Sequence, residues 1–325
     1  MLLADFKTEP EDFVVEELLG FELSGDGEHL WLFIESRDMN TDFLVKQLAR
    51  TFALEKKAIS YSGKKDRRAV TRQWFSLHMP GRFPPGEPIV LPENIHLDCQ
   101  ILRAECHQRK LRRGTHQANQ FTVRLRNLAG DLQQLETALN RVLRHGFPNY
   151  FGLQRFGRDE GNLDEAVNAV QRRSRMKREQ RDRVFSTLRA WDFNRLLSLR
   201  VAEGSWQRYL PGDTLQLRGS QSVFQPDGWD STLQSRLDQG DVGIAGVLPG
   251  KGSACTPLNN GSYSGNAELQ RYLAQQRVEQ AYRAFVARPE GLTWQLQGDD
   301  LLLSFRLGKG SYATAMLREM VCFRA

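Results

Sequence analysis

Residues 61–77 read YSGKKDRRAVTRQWFSL: two strand-like runs joined by a polar, highly charged turn. The run Ile59 to Ser62 is apolar and short enough for a strand, and Trp74 to Leu77 is a second before Pro80-Gly81. Gly63 permits a tight turn between them. Asp66 then stands among Lys64, Lys65, Arg67 and Arg68. Four cations around one carboxylate favour its charged form, and they also attract phosphate oxygens. An ionised Asp at a strand end on a basic surface suits a nucleophile or base acting on nucleic acid. The plainer alternative is a surface turn with solvated ion pairs.

Outward from this segment the chain mixes strand and helix. Phe13 to Leu19, Leu30 to Ile34, Ile95 to Cys106 and Phe121 to Leu125 have strand length and composition. Asn40-Thr41 offers a helix cap, and Val45, Leu48, Ala49 and Phe52 follow at helical spacing. Leu132, Leu135, Leu139, Val142 and Leu143 mark a helix ending at Gly146. From about residue 146 to 290 the chain is richer in helix, Arg and loop. Leu163 to Val170, Val184 to Ala202 and Ala267 to Val286 read as helices around a Gly/Ser/Gln-rich stretch, 212–265, expected to be irregular with short strands. Leu292 to Leu296 and Leu301 to Leu307 flank Gly298-Asp299 as a hairpin, and Ser311 is placed to cap a helix running to Met320. Strand-type sequence at both ends predicts one sheet domain from 1–145 and 290–325, with 146–289 as an insertion.

Other segments carry candidate chemistry. PNYFGLQRFGRDEGN, residues 148–162, holds three aromatics with Arg155 and Arg158, as base stacking and phosphate contact require; an aromatic domain junction is the alternative. Arg109, Lys110, Arg112 and Arg113 form a basic cluster before a strand. Asn119, just ahead of that strand, is suited to reading a base edge or bracing a loop. The basic run 171–183 is a solvated helix face or a phosphate-tracking one. Phe13, after two acids in KTEPEDFVVEE (residues 7–17), reads as core. Neither GKGSYATAMLREM (residues 308–320) nor the segment 249–252 meets the phosphate-loop spacing.

The whole-chain numbers set bounds. With 325 residues and 40% hydrophobic content, the chain is long enough for two domains with real cores. A net charge of +6 suits a polyanionic partner without demanding one. Cys99, Cys106, Cys255 and Cys322 form no C-x-x-C pair and complete no zinc spacing, so four free thiols in a cytoplasmic setting are expected. No secretory signal and no membrane span are read.

Four segments together resemble the TruD family of pseudouridine synthases: KTEPEDFVVEE, SGKKDRRAVTRQWFSL, PNYFGLQRFG and GKGSYATAMLRE, in the family's order over nearly the whole chain. The G-x-K-D-x-x-A-x-T-x-Q pattern is complete as Gly63, Lys65, Asp66, Ala69, Thr71 and Gln73. The resemblance implies an α+β chain: a pseudouridine synthase fold with a mixed, largely antiparallel sheet, plus an inserted α+β domain. It implies Asp66 as catalyst, Phe13 and Asn119 in the uridine pocket, and Lys7 at a matching family position. Tyr312 stands where the family usually has Phe; its added hydroxyl needs a partner if buried. Phe13 and Tyr312 are expected to sandwich the uracil ring. Lys64, Lys65, Arg109, Lys110, Arg112, Arg113, Arg155 and Arg158 are expected to contact RNA. The implied reaction isomerises uridine 13 in the D arm of tRNA, with tRNA as partner, a monomeric protein, and no metal, nucleotide or other cofactor. A non-catalytic RNA-binding or chaperone protein is the competing reading.

Overall fold

The computed structural model describes residues 2–83, 87–92, 95–157, 161–172, 176–252 and 254–324. The chain divides into two compact units, one of Met1–Asn140, Pro289–Gly310 and Met320–Ala325, the other of Arg141–Arg288 and Ser311–Glu319.

The chain opens with strands β1 (Leu3–Phe6), β2 (Phe13–Leu18) and β3 (His29–Arg37), then helix α1 (Thr41–Thr51). Strands β4 (Ile59–Tyr61), β5 (Val70–His78), β6 (Cys99–His107) and β7 (Ala118–Ala129) follow, then α2 (Leu132–His145). The middle of the chain holds β8 (Phe147–Pro148), α3 (Gly161–Arg172), α4 (Arg178–Ala202), β9 (Thr214–Leu217), β10 (Val223–Phe224) and α5 (Ser231–Gln239). It continues through β11 (Val242–Leu248), β12 (Thr256–Leu258), β13 (Gly261–Tyr263), α6 (Ala267–Gln275), β14 (Ala281–Ala284) and β15 (Val286–Ala287). The last elements are β16 (Glu290–Gln297), β17 (Asp300–Gly308), α7 (Ala313–Leu317) and β18 (Cys322–Phe323).

In the first unit a ten-stranded sheet runs β16-β17-β7-β2-β5-β3-β6, with β1, β18 and β4 attached at its sides. Most pairs are antiparallel; β2 with β5 and β1 with β18 are parallel. The architecture is thus α+β with a mixed, largely antiparallel sheet, as expected. The helix α1 forms where its spacing places it: Asn40 accepts the Phe43 N–H at 2.8 Å, a cap worth about 1 kcal/mol. Its Leu44, Val45 and Leu48 pack on Leu30, Leu32, Ile34, Phe75 and Leu77 of β3 and β5, closing one core.

Strand β5 is paired discontinuously along one edge, which is shared by two strands: β2 pairs with Val70–Arg72 and β4 with Phe75–Leu77. Between them, at Gln73 and Trp74, the ladder opens. The Trp74 N–H is taken instead by the Glu17 carboxylate at 3.1 Å, and the Gln73 carboxamide donates to the Gly63 carbonyl at 2.9 Å. The 62–69 connection is therefore pinned where the two strands part.

In the second unit, β10-β9-β11-β14 form an antiparallel sheet against which α4 packs through Phe193, Leu196 and Leu197. A second cluster joins α3, α4 and α6 through Ala166, Val184, Leu188 and Leu273. Arg200 and Asp213 form a fully buried ion pair at 2.9 Å.

Four expectations change. The stretch 212–265, expected to be irregular with short strands, holds helix α5. The stretch Ala267 to Val286 is not one helix: α6 ends at Gln275, Arg277 turns to φ +57°, and Ala281–Ala284 gain ladder bonds with β11. Ser311 is not the cap of the last helix, whose N-cap residue is Tyr312 without a side-chain bond. The expected segment 290–325 is split, because α7 packs on β8 and Ser311–Glu319 belong to the second unit. Among the described residues no helix is long and apolar enough to cross a membrane.

Candidate active site

The Lys64–Ala69 segment is irregular backbone entering β5, and Asp66 sits in it with its side chain about one-third exposed. Its partner is none of the four neighbouring cations. Lys7, 59 residues earlier, places Nζ 2.6 Å from Asp66 Oδ2. Lys64 pairs instead with Asp42 at 2.6 Å, Arg67 with Asp38 at 3.5 Å, and Arg68 donates to the Thr8 carbonyl. Local crowding of charge in sequence is therefore a poor guide to the contact, because each long cationic side chain has a nearer acid or carbonyl.

Lys7 is held from two directions. Its backbone lies in the left-handed region at φ +58°, a conformation costing a non-glycine residue about 1–2 kcal/mol. Its ammonium lies 4.0 Å from the centroid of the Phe13 ring, a cation–π contact. Phe13 is buried and packs edge-on to Phe6 and against Phe121. One turn of 3₁₀ helix, Pro10–Asp12, aims it: Asp12 caps the Glu9 N–H at 2.9 Å and pairs with Arg126 on β7 at 2.8 Å. The PEDF segment thus builds a floor beneath the Lys7–Asp66 pair. Lys7 covers one face of the Phe13 ring. Gly63 adopts no glycine-only backbone angle; the positive φ in this region belongs to Lys7.

The next residue along, Lys65, turns inward. Its Nζ lies 2.8 Å from Glu17 Oε1, a charge contact outside hydrogen-bond angles, and 2.7 Å from Asn119 Oδ1. Glu17 is completely buried and Lys65 nearly so. Lys65 is thereby taken out of the expected phosphate contacts. Asn119, directly across from Glu17 in the β2–β7 register, keeps part of its surface open. Its Nδ2 lies 3.4 Å from His116 Nε2, and the His116 ring contacts Ser62 Oγ through Nδ1. Burial pushes the His116 pKa down, with Lys65 and Lys309 adding to the shift and Glu17 opposing it.

Sequence reasoning misses Glu17 and His116. For Glu17 a signal is present: strand alternation puts Phe13, Val15 and Glu17 on one face, and all three are buried. His116 carries no comparable mark.

The basic cluster before β7 lies against the start of the Asp66 segment. Arg113 stacks 4.9 Å from the Tyr61 ring and donates to its hydroxyl, and Gly114 N–H bonds the Ser62 carbonyl. Arg109, Lys110, Arg112 and Arg113 are exposed. In the second unit, the Tyr312 hydroxyl accepts from Arg155 at 3.1 and 3.2 Å, which supplies the partner its extra oxygen requires. Phe151 stands edge-on to Tyr312, and Arg283 covers Phe151 at 4.0 Å. Burial lowers the Arg283 pKa to about 10. Arg158 lies outside the described residues. Among the described residues no three His, Cys, Asp or Glu side chains are grouped as metal ligands.

A family model described as tRNA pseudouridine synthase D (TruD) matches residues 3–174 and 162–320. The chain belongs to the TruD family. The tRNA pseudouridine synthase D of Azotobacter vinelandii is 43% identical over 318 residues, spanning 96% of this chain and 89% of the relative. That of Pseudomonas putida strain GB-1 is 41% identical over 325 residues, spanning 98% and 91%. A solved TruD chain from Methanosarcina mazei superposes with a TM-score of 0.68 at 20% identity, covering 98% of this chain and 93% of that one. At that identity the likeness speaks to fold, and it agrees with the mixed sheet described above.

Proposed function

We propose that this TruD-family protein converts uridine 13 in the D arm of tRNA to pseudouridine, with the Asp66 carboxylate as its catalyst. Membership of the family makes it a pseudouridine synthase, an isomerase acting on tRNA. The position of the uridine and the role of Asp66 are our reading. The observation that carries the role is the Lys7–Asp66 pair: a partly exposed carboxylate, held at 2.6 Å by an ammonium that itself rests on a buried aromatic floor.

The reaction breaks the bond between C1′ and N1 of the base and forms one between C1′ and C5. The uridine must first leave its stack, at a cost of a few kcal/mol. Asp66, charged in its pair with Lys7, then either attacks C1′ to give a sugar ester or removes the C2′ proton to give a glycal. The freed uracil then turns. In the first route its C5 displaces the Asp66 carboxylate from C1′; in the second Asp66 returns its proton to C2′ as C5 bonds to C1′. In both, N1 takes up a proton as the C5 proton is lost. The C5 proton leaves to a base, for which Asp66 is at hand. Asn119, with its open edge, holds a polar group of the base during the turn. The exposed Arg109, Lys110, Arg112 and Arg113 contact phosphates, a contribution that weakens steeply with salt. Tyr312 and Arg155 are the proposed RNA contacts of the second unit.

The test is base-resolution mapping of pseudouridine in tRNA from cells lacking the protein, and in unmodified tRNA incubated with it. Pseudouridine at position 13 should vanish in the first and appear in the second. Modification at another uridine would refute the positional claim.

A further inference from the structure

Asn119 has a carboxamide whose two ends differ in what they offer a base: Oδ1 accepts and Nδ2 donates. Which end faces outward is settled by its neighbours. Lys65 Nζ lies 2.7 Å from it, and an ammonium has donors only. The end toward Lys65 must therefore be Oδ1. The Nδ2 end then has one N–H for His116 Nε2, at 3.4 Å, and one left over. His116 accepts there only when its ring is neutral with the proton on Nδ1, where Ser62 Oγ lies in contact. Lys65 is fixed in its turn by Glu17, whose other oxygen is committed to the Trp74 N–H.

We propose that Lys65, anchored by Glu17, is a positioning residue that sets base specificity: it locks the Asn119 carboxamide so that an N–H faces the base, matching the O4 carbonyl of uracil and rejecting the N4 amino group of cytosine. This rests on the reading of Asn119 as a pocket residue of the synthase. Uracil offers an acceptor at C4 and cytosine a donor, so a locked donor discriminates between them, whereas a freely flipping carboxamide satisfies both. Sites built to hydrogen-bond one partner reject its mismatch strongly, because the group left unpaired is part-buried.

The experiment compares binding of two tRNA transcripts, one with uridine at the target position and one with cytidine, at a single salt concentration. Phosphate contacts are common to both and cancel in the ratio. The wild-type protein should prefer the uridine transcript by about tenfold or more. Lys65→Met should bring the ratio close to one, and Lys65→Arg, which keeps a donor, should restore it. Lys65→Met leaves the Glu17 charge buried without its counter-charge, so the double variant Glu17→Gln/Lys65→Met is measured beside it; glutamine still accepts the Trp74 N–H. A ratio that stays at the wild-type value in whichever of these two variants melts like the wild type overturns the proposal, as does a failure of Lys65→Arg to restore it. Pseudouridine formation by the wild type is scored separately, so failure of the synthase reading is distinguished from failure of this one.

Discussion

Gly152, in the PNYFG segment, has an ordinary φ of −70°, so an alanine there meets no backbone penalty. What it meets is a side chain. A Cβ built at position 152 would lie 2.7 Å from Tyr312 Cδ1 and 2.6 Å from Gln154 Oε1. Gln154 is exposed and swings away at little cost, but Tyr312 is tied by two bonds to Arg155 and stands at the N-terminus of α7. Overpacking of this kind costs about 1–3 kcal/mol. Against it stands the lower chain entropy of unfolded alanine, which favours the variant by about 0.4–1 kcal/mol. The clash wins, leaving a net loss near 1–2 kcal/mol, or a fall of roughly 2–6 °C in the melting midpoint. The assay is thermal unfolding of Gly152→Ala in wild-type and Tyr312→Ala backgrounds. With the ring gone, most of the penalty should vanish, leaving only the looser approach to Thr314 Oγ1 at 3.1 Å against the entropic gain. A penalty equal in both backgrounds would refute the reasoning, since contact between the two residues is what couples them.

Lys7→Met keeps the apolar stem over Phe13 and removes the ammonium from Asp66; catalytic turnover on tRNA should fall about 100-fold, as misplacing a reacting group by an ångström does, with tRNA affinity little changed in a filter-binding assay. In the proposed lock His116 accepts from Asn119 as a neutral ring, and burial lowers its pKa from the ordinary 6.5, so kcat/KM should show an acid limb below that pH, shifted or removed in His116→Asn. The stability sign agrees: a depressed histidine pKa gives stability that is complete above pH 6.5 and is lost as pH falls towards the folded value, readable as a falling melting midpoint. Arg200→Met strands Asp213, whose pKa burial already raises, and should cost about 3–5 kcal/mol in thermal unfolding, with part regained in Arg200→Met/Asp213→Asn.

What is legible in the sequence is local. The Asn40 cap, the hairpin around Gly298 and the strand ending before the Gly63–Asp66 turn each depend on residues a few positions apart, and each forms. The helix α5 is equally legible, with Asp230 as its cap and Gly240 at its end, yet it hides inside a Gly/Ser-rich stretch that reads as irregular. What cannot be read is set by distant pairing. The strand at Ala281–Ala284 exists because β11 offers it an edge, and no feature of Gln275-Gln276-Arg277 announces the break. Asp66 can be named from its motif, but its partner at Lys7 depends on β2 and β5 running parallel, a fact of topology. The inward Lys65 and outward Asp66 are adjacent charged residues of opposite sign, and nothing in the local sequence marks which one is buried. Only the buried Glu17 separates their roles.

In the proposed reaction Asp66 does the chemistry. Asp66→Asn keeps size and hydrogen-bonding shape while removing the charge that attacks C1′ or takes a proton. Pseudouridine at position 13 should drop below detection after incubation with excess variant, while tRNA binding stays within a few-fold of wild type. Undiminished pseudouridine formation by Asp66→Asn would contradict the assignment.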